Sequence, residues 1–121
     1  MDTPPNWFRK FEAPLIHKIC ELYKLFSVCL KTFPNQERYS LGKKIEETIL
    51  EILEFSLKAT YSSKHEKLPF LKEIDYRTKF LKILIRMANE VKVLNDKKYL
   101  LLQENLQEIG RMTGGWIKYL I

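Results

Sequence analysis

Leu15, Ile19, Leu22, Phe26 and Cys29 recur at alternating spacings of four and three, the rhythm of a helix that buries one face in a bundle. Pro14 suits the first turn of such a helix, and Pro34 disfavours helical geometry at Phe33, so this segment is predicted to run from about Pro14 to Lys31. A second segment opens near Asn35, a candidate N-cap, and continues to about Tyr61. It carries two apolar stripes. Leu41, Ile45, Thr48, Ile52, Phe55 and Ala59 form one, and Leu50, Leu53, Leu57 and Tyr61 form another, rotated from the first by roughly 100° or more. Either the core face of this helix is broad, or the second stripe meets another subunit.

The polar run Ser62 to Lys67 reads as a connection, and Leu68-Pro69 as the opening of a third helix. Phe70, Ile74, Leu81, Leu84, Ala88 and Val91 point one way along it. Asn95-Asp96 then offers a turn and an N-cap for a fourth helix, whose seam is Leu102, Leu106, Ile109, Thr113, Trp116 and Leu120. No segment sustains the period of two that a strand requires. The expected fold is all-α, an antiparallel up-and-down four-helix bundle over residues 14–121, because the connections are short. Residues 1–13 form an N-terminal extension in which Trp7, Phe8 and Phe11 dock either on the bundle or on a partner.

Composition changes this picture little. The chain has 121 residues, the size of one domain, and its 4 Gly and 5 Pro leave room for long helices. The opening residues lack the continuous apolar core of a secretory signal, and nothing approaches the roughly 18 apolar residues that span a bilayer, so a cytoplasmic protein without membrane contact is expected. Cys20 and Cys29 lie about 13 Å apart along one helix and on opposite faces, so they cannot bridge each other and read as free thiols of a reducing compartment.

Charge is more informative. The net charge is +6, and residues 64 to 94 hold eight basic and four acidic side chains, a balance of +4. Within that segment Lys72, Lys79, Lys82 and Arg86 fall within about 80° of one another, opposite the seam. Such a ridge suits a phosphate backbone bound through counterion release; the plainer reading is a face that keeps the helix soluble. Arg38, Lys43 and Lys44 form a second basic cluster at the start of the second helix.

Catalytic chemistry is poorly provided for. There is no glycine-rich phosphate loop, no His-Glu-x-x-His, no Cys-x-x-Cys and no nucleophile elbow, so neither an enzyme nor a cofactor is expected. His17, Cys20 and Glu21 share a helical side but lack a fourth metal ligand. Glu46, Glu47, Glu51 and Glu54 lack the Glu-x-x-His partners of a di-metal bundle and read as a solvated or salt-bridging face.

Two stretches carry a family resemblance. Phe33-Pro34 followed by Glu37-Arg38-Tyr39, Leu41-Gly42 and Ile45-Glu46, together with Gly110-Arg111-Met112 and Gly114-Gly115-Trp116-Ile117, resemble the accessory variability determinant (Avd) proteins of diversity-generating retroelements. The likeness runs from about Leu30 to the end. Proteins encoded in intervening sequences of bacterial 23S ribosomal RNA genes are similar in the same way, although the double-glycine tryptophan ending leans toward Avd. The resemblance implies a homopentameric barrel of basic bundles without catalysis of its own. It also implies two further partners, a reverse transcriptase and its template-repeat RNA, with mutagenic retrohoming as the outcome. The intervening-sequence alternative implies a structural oligomer with no nucleic-acid role.

Gly110, Gly114 and Gly115 raise a separate question, since each glycine costs roughly 1 kcal/mol against alanine inside a helix. The expectation is a continuous fourth helix in which Gly110 and Gly114, one turn apart, admit a neighbouring helix closely while Trp116 and Ile117 fill the adjoining space. The competing picture ends the helix at Gly114 in a left-handed cap.

Overall fold

The computed structural model describes residues 8–121, with side chains from Lys10 onward. A π-helical turn, Phe8–Glu12, runs straight into α1 (Ala13–Leu30). After a tight turn come a short helix, Asn35–Glu37, and a π-helical turn, Arg38–Gly42, continuous with α2 (Lys43–Tyr61). Then follow α3 (Lys64–Glu90) and α4 (Asp96–Leu120). Each long helix packs on the next and α1 closes against α4, so the four form an antiparallel up-and-down bundle. Among the described residues there is no strand.

The core follows the predicted seam in α1 and most of α4 and shifts from it in α2 and α3, where Ile49, Leu71 and Ile85 are buried while Leu41, Phe55 and Phe70 are half-buried. Leu15, Ile19, Leu22, Phe26 and Cys29 of α1 are buried, as are Ile45, Ile49 and Ile52 of α2, Leu71, Ile74, Leu81 and Ile85 of α3, and Leu102, Leu106, Ile109 and Trp116 of α4. Thr48, Thr78 and Thr113 interrupt it without cost, because each hydroxyl donates to the carbonyl four residues earlier at 2.7 Å. Of the three N-terminal aromatics, Trp7 and the side chain of Phe8 lie outside the described residues. Phe11 docks on the bundle, its ring parallel to Trp116 at 6.1 Å and tilted against Tyr119 at 4.9 Å.

Backbone chemistry fixes the corners. After α1, the Thr32 and Phe33 N–H groups donate to the carbonyls of Cys29 and Leu30. The Arg38 Nη2 then donates to the Lys31 carbonyl at 3.0 Å and the Phe33 carbonyl at 3.5 Å. Gly42 is the glycine this corner needs: a Cβ there would lie 2.5 Å from Leu30 Cδ1 and 3.2 Å from both Phe33 Cδ2 and the Glu37 carbonyl oxygen. At the last corner the Asn95 side chain caps α4, accepting from the Lys98 N–H at 2.8 Å as the sequence predicts.

Three expectations are corrected. Asn35 stands inside the short helix, with Pro34 in the cap position. The third helix starts at Lys64, not at Leu68, so Ser62 and Ser63 alone join it to α2. Pro69 is tolerated as the sixth helical residue because it forfeits one bond, to the His65 carbonyl on an exposed turn. Lys67 reinforces this junction by donating Nζ–H to the carbonyls of Ala59 and Thr60 at 2.6 and 3.1 Å. Finally, Val91 is exposed and does not extend the seam, since α3 ends at Glu90 and Lys92 adopts a left-handed φ of 68°.

Candidate nucleic-acid and partner interface

The outward side of α3 is the most distinctive surface. Phe70 approaches Phe55, and Arg77 pairs with Glu51 while its guanidinium lies 4.9 Å from the Phe55 ring, so this flank of α3 faces α2. The carbonyl of Lys82 accepts from Gln103 Nε2 at 3.2 Å, so the opposite flank faces α4. Between the flanks lie Lys72, Lys79, Lys82 and Arg86. Lys72, Lys79 and Arg86 are exposed, and Lys82 is half-buried. Lys79 pairs with Asp75 one turn back at 3.0 Å. Lys72, Lys82 and Arg86 have no ion-pair partner among the described residues, so their positive charge is uncompensated by carboxylates. The row spans about 21 Å from Lys72 to Arg86 at 1.5 Å per residue.

Beside this row runs an apolar stripe that the sequence reading missed. Tyr76, Ile83 and Met87 are 61%, 57% and 46% exposed, and Phe80 lies half-buried among them. Their spacing of four, three and four was the available signal. It was passed over because the same helix already supplied a core seam on its other side.

The second stripe of α2 is also turned to solvent. Leu50 and Leu57 are each 43% exposed and Tyr61 83%, while Leu53 is half-buried against the core. Phe55 and Glu51 mark the flank of α2 that faces α3, which puts these leucines on the side toward α1. Glu47 and Glu54 flank the stripe; Glu54 pairs with Lys58 at 3.8 Å, and Glu46 is half-buried. Glu51 bridges to α3 within the chain. Among the described residues no group of three His, Cys, Asp or Glu side chains is gathered for a metal ion. His17 and Glu21 approach each other at 3.8 Å, while Cys20 is half-buried and unbridged.

The second basic cluster divides. Lys43 and Lys44 are exposed at the start of α2. Arg38 holds the carbonyls of the α1–α2 corner and pairs with no carboxylate. Its guanidinium is a clamp on the turn.

The fourth helix runs unbroken through Gly110, Gly114 and Gly115 to Leu120, which confirms continuity. The expected close approach is absent within the chain: a Cβ on any of the three would meet nothing within 4 Å. Gly114 and Gly115 lie on the solvent side, while Trp116 turns inward and is buried. On the same helix Arg111 forks onto the Glu108 carboxylate, and this hydrogen bonding holds the Glu108 carboxyl below its usual range.

A model of the bAvd-like family matches residues 15–120, nearly the whole described bundle. The chain belongs to the bAvd-like family. The match includes both signature stretches, the Phe33 to Glu46 corner and the glycine-rich run of α4. No curated protein compared with this bAvd-like chain matches it. Among the described residues, no helix is long and apolar enough to cross a membrane.

Proposed function

We propose that the protein is a non-catalytic accessory subunit of a diversity-generating retroelement, binding the reverse transcriptase and the template-repeat RNA to support mutagenic cDNA synthesis and retrohoming. The observation that carries this reading is the row Lys72, Lys82 and Arg86, free of carboxylate partners among the described residues, on the outer side of a bAvd-like bundle. Cations so placed bind phosphates without reading sequence, and base pairing within the element supplies the specificity. The protein acts in the cytoplasm with reduced thiols and needs no cofactor.

Self-association into a homopentamer belongs to the same reading. The α2 stripe of Leu50, Leu57 and Tyr61 and the α3 stripe of Tyr76, Ile83 and Met87 are both apolar and exposed, and the basic row borders the second stripe without being part of it. They occupy adjoining sides of the bundle. A head-to-tail contact between them turns a corner at each subunit, as a closed ring requires. Five copies of a +6 chain then repeat the basic row around the ring and raise avidity for RNA.

The exposed stripes also favour a second reading, a structural oligomer of the 23S ribosomal intervening-sequence type with no nucleic-acid role. RNA binding at low salt separates the two. Under the primary reading the wild-type chain binds the template-repeat transcript with a steep salt dependence, and charge reversal at Lys79, Lys82 and Arg86 abolishes it. Binding that is absent at low salt, or indifferent to the reversal, overturns the reading.

A further inference from the structure

One end of the bundle holds an open cavity of about 380 Å³. Phe11 and Glu12 line it from below α1, Lys64 and Lys67 from the first turn of α3, and Trp116 and Tyr119 from the last turns of α4. Glu12 is 1% exposed, and its Oε2 has no hydrogen-bond partner. A buried acceptor left in that state is unfavourable, so a ligand that donates to it is favoured.

The surroundings restrict which donor fits. Lys64 and Lys67 line the cavity, while Lys10 lies against Tyr119 and lines the neighbouring cleft. Two ammonium groups against one carboxylate repel a cationic ligand, which disfavours an amine or guanidinium as the donor. The aromatic wall, with Tyr119 59% exposed, takes a planar ring. Those requirements together are a neutral N–H on a flat ring that is tethered to an anion.

The geometry points to a nucleotide site in which an amino-bearing base, cytosine or adenine, stacks on the aromatic wall, donates its exocyclic amine to Glu12 Oε2 and sets its phosphate near Lys64. Uracil presents a carbonyl where the amine is required and is disfavoured. The inference rests on the reading that this protein handles nucleic acid, and adds a place where a single unpaired base is held, apart from the α3 row. The source is either a base of a single strand or a free mononucleotide.

Calorimetric titration of the full chain with CMP, UMP and ribose 5-phosphate, and with short oligo-C and oligo-U, tests it. CMP or oligo-C is expected to bind about tenfold more tightly than its uracil counterpart, a difference of about 1.4 kcal/mol. A preference confined to the oligonucleotides identifies an unpaired base as the source; one shown equally by the mononucleotides identifies free nucleotide. Glu12→Gln levels the preference, because its amide also donates, and Tyr119→Ala, on the surface, weakens every nucleotide by about tenfold. Equal binding of CMP and UMP together with oligo-C and oligo-U overturns the site, as does ribose 5-phosphate matching CMP, or an undiminished preference in Glu12→Gln. Charge reversal on α3 leaves the base preference intact, so loss of RNA binding there and loss of preference here are read separately.

Discussion

Gly42 sits so close to Leu30 that a methyl group on the glycine would stand 2.5 Å from Leu30 Cδ1, with Phe33 and the Glu37 carbonyl crowding the same space. Leu30 can swing aside, but the Glu37 backbone cannot. Gly42→Ala is therefore expected to lose about 1–3 kcal/mol, read as a lower urea midpoint. Gly114→Ala is expected to do the opposite, gaining about 0.5–1 kcal/mol, because its added methyl meets open space on a helix.

Lys72, Lys82 and Arg86, without carboxylate partners among the described residues, should each contribute to the salt dependence of RNA binding. Replacing Lys72, Lys82 and Arg86 by glutamine is expected to lower the slope of log K against log salt by about 2 for single-stranded RNA. Lys79→Gln is expected to change the slope less, since Asp75 already compensates that charge. Filter binding across a salt series measures both.

Two adjoining faces that meet head to tail between subunits can be tested by mixing. Leu57→Asp on α2 and Ile83→Asp on α3 each spoil one face of an exposed pair, so each variant alone is expected to be monomeric in native mass measurement. Mixed, they share one intact contact and form a one-to-one dimer that grows no further. A face that pairs with itself would give homodimers of one variant instead.

Burial pushes the Glu12 carboxyl above its ordinary value of 4.5, against smaller opposing effects from backbone hydrogen bonds and Lys67. The folded chain thus holds this proton more tightly than the unfolded chain does. Its contribution to stability is fully present below pH 4.5 and is lost as the pH rises through the higher folded value. Glu12→Gln removes that loss, so the variant is expected to gain on the wild type in melting temperature as the pH rises above 4.5. Burial lowers the Lys67 pKa, with Glu12 opposing.

What the sequence disclosed follows from how local each signal is. The α1 seam and the Asn95 cap depend on spacings of three and four residues, and both are present in the fold. Lys72, Lys79 and Arg86 were placed outward by the same periodicity. The hold of Arg38 on the α1–α2 corner was not legible, because its partners are main-chain carbonyls, which leave no trace in residue identity. Pro69 looked like a boundary because its missing N–H was visible while the Lys67 bonds that secure the preceding turn were not. Glu12 and Trp116 stand more than a hundred positions apart, and only the closing of α1 against α4 brings them to one cavity.

That closure has a kinetic consequence. Among the described residues, three of the four main contacts between long helices join consecutive helices, and α1 with α4 is the remote one. Low contact order of this kind permits folding in about microseconds to milliseconds, with the hairpins of neighbouring helices assembling before the ends find each other. The cavity beside Glu12 and Tyr119 lies at that final seam, so it would be the last part of the molecule to form and the first to fray.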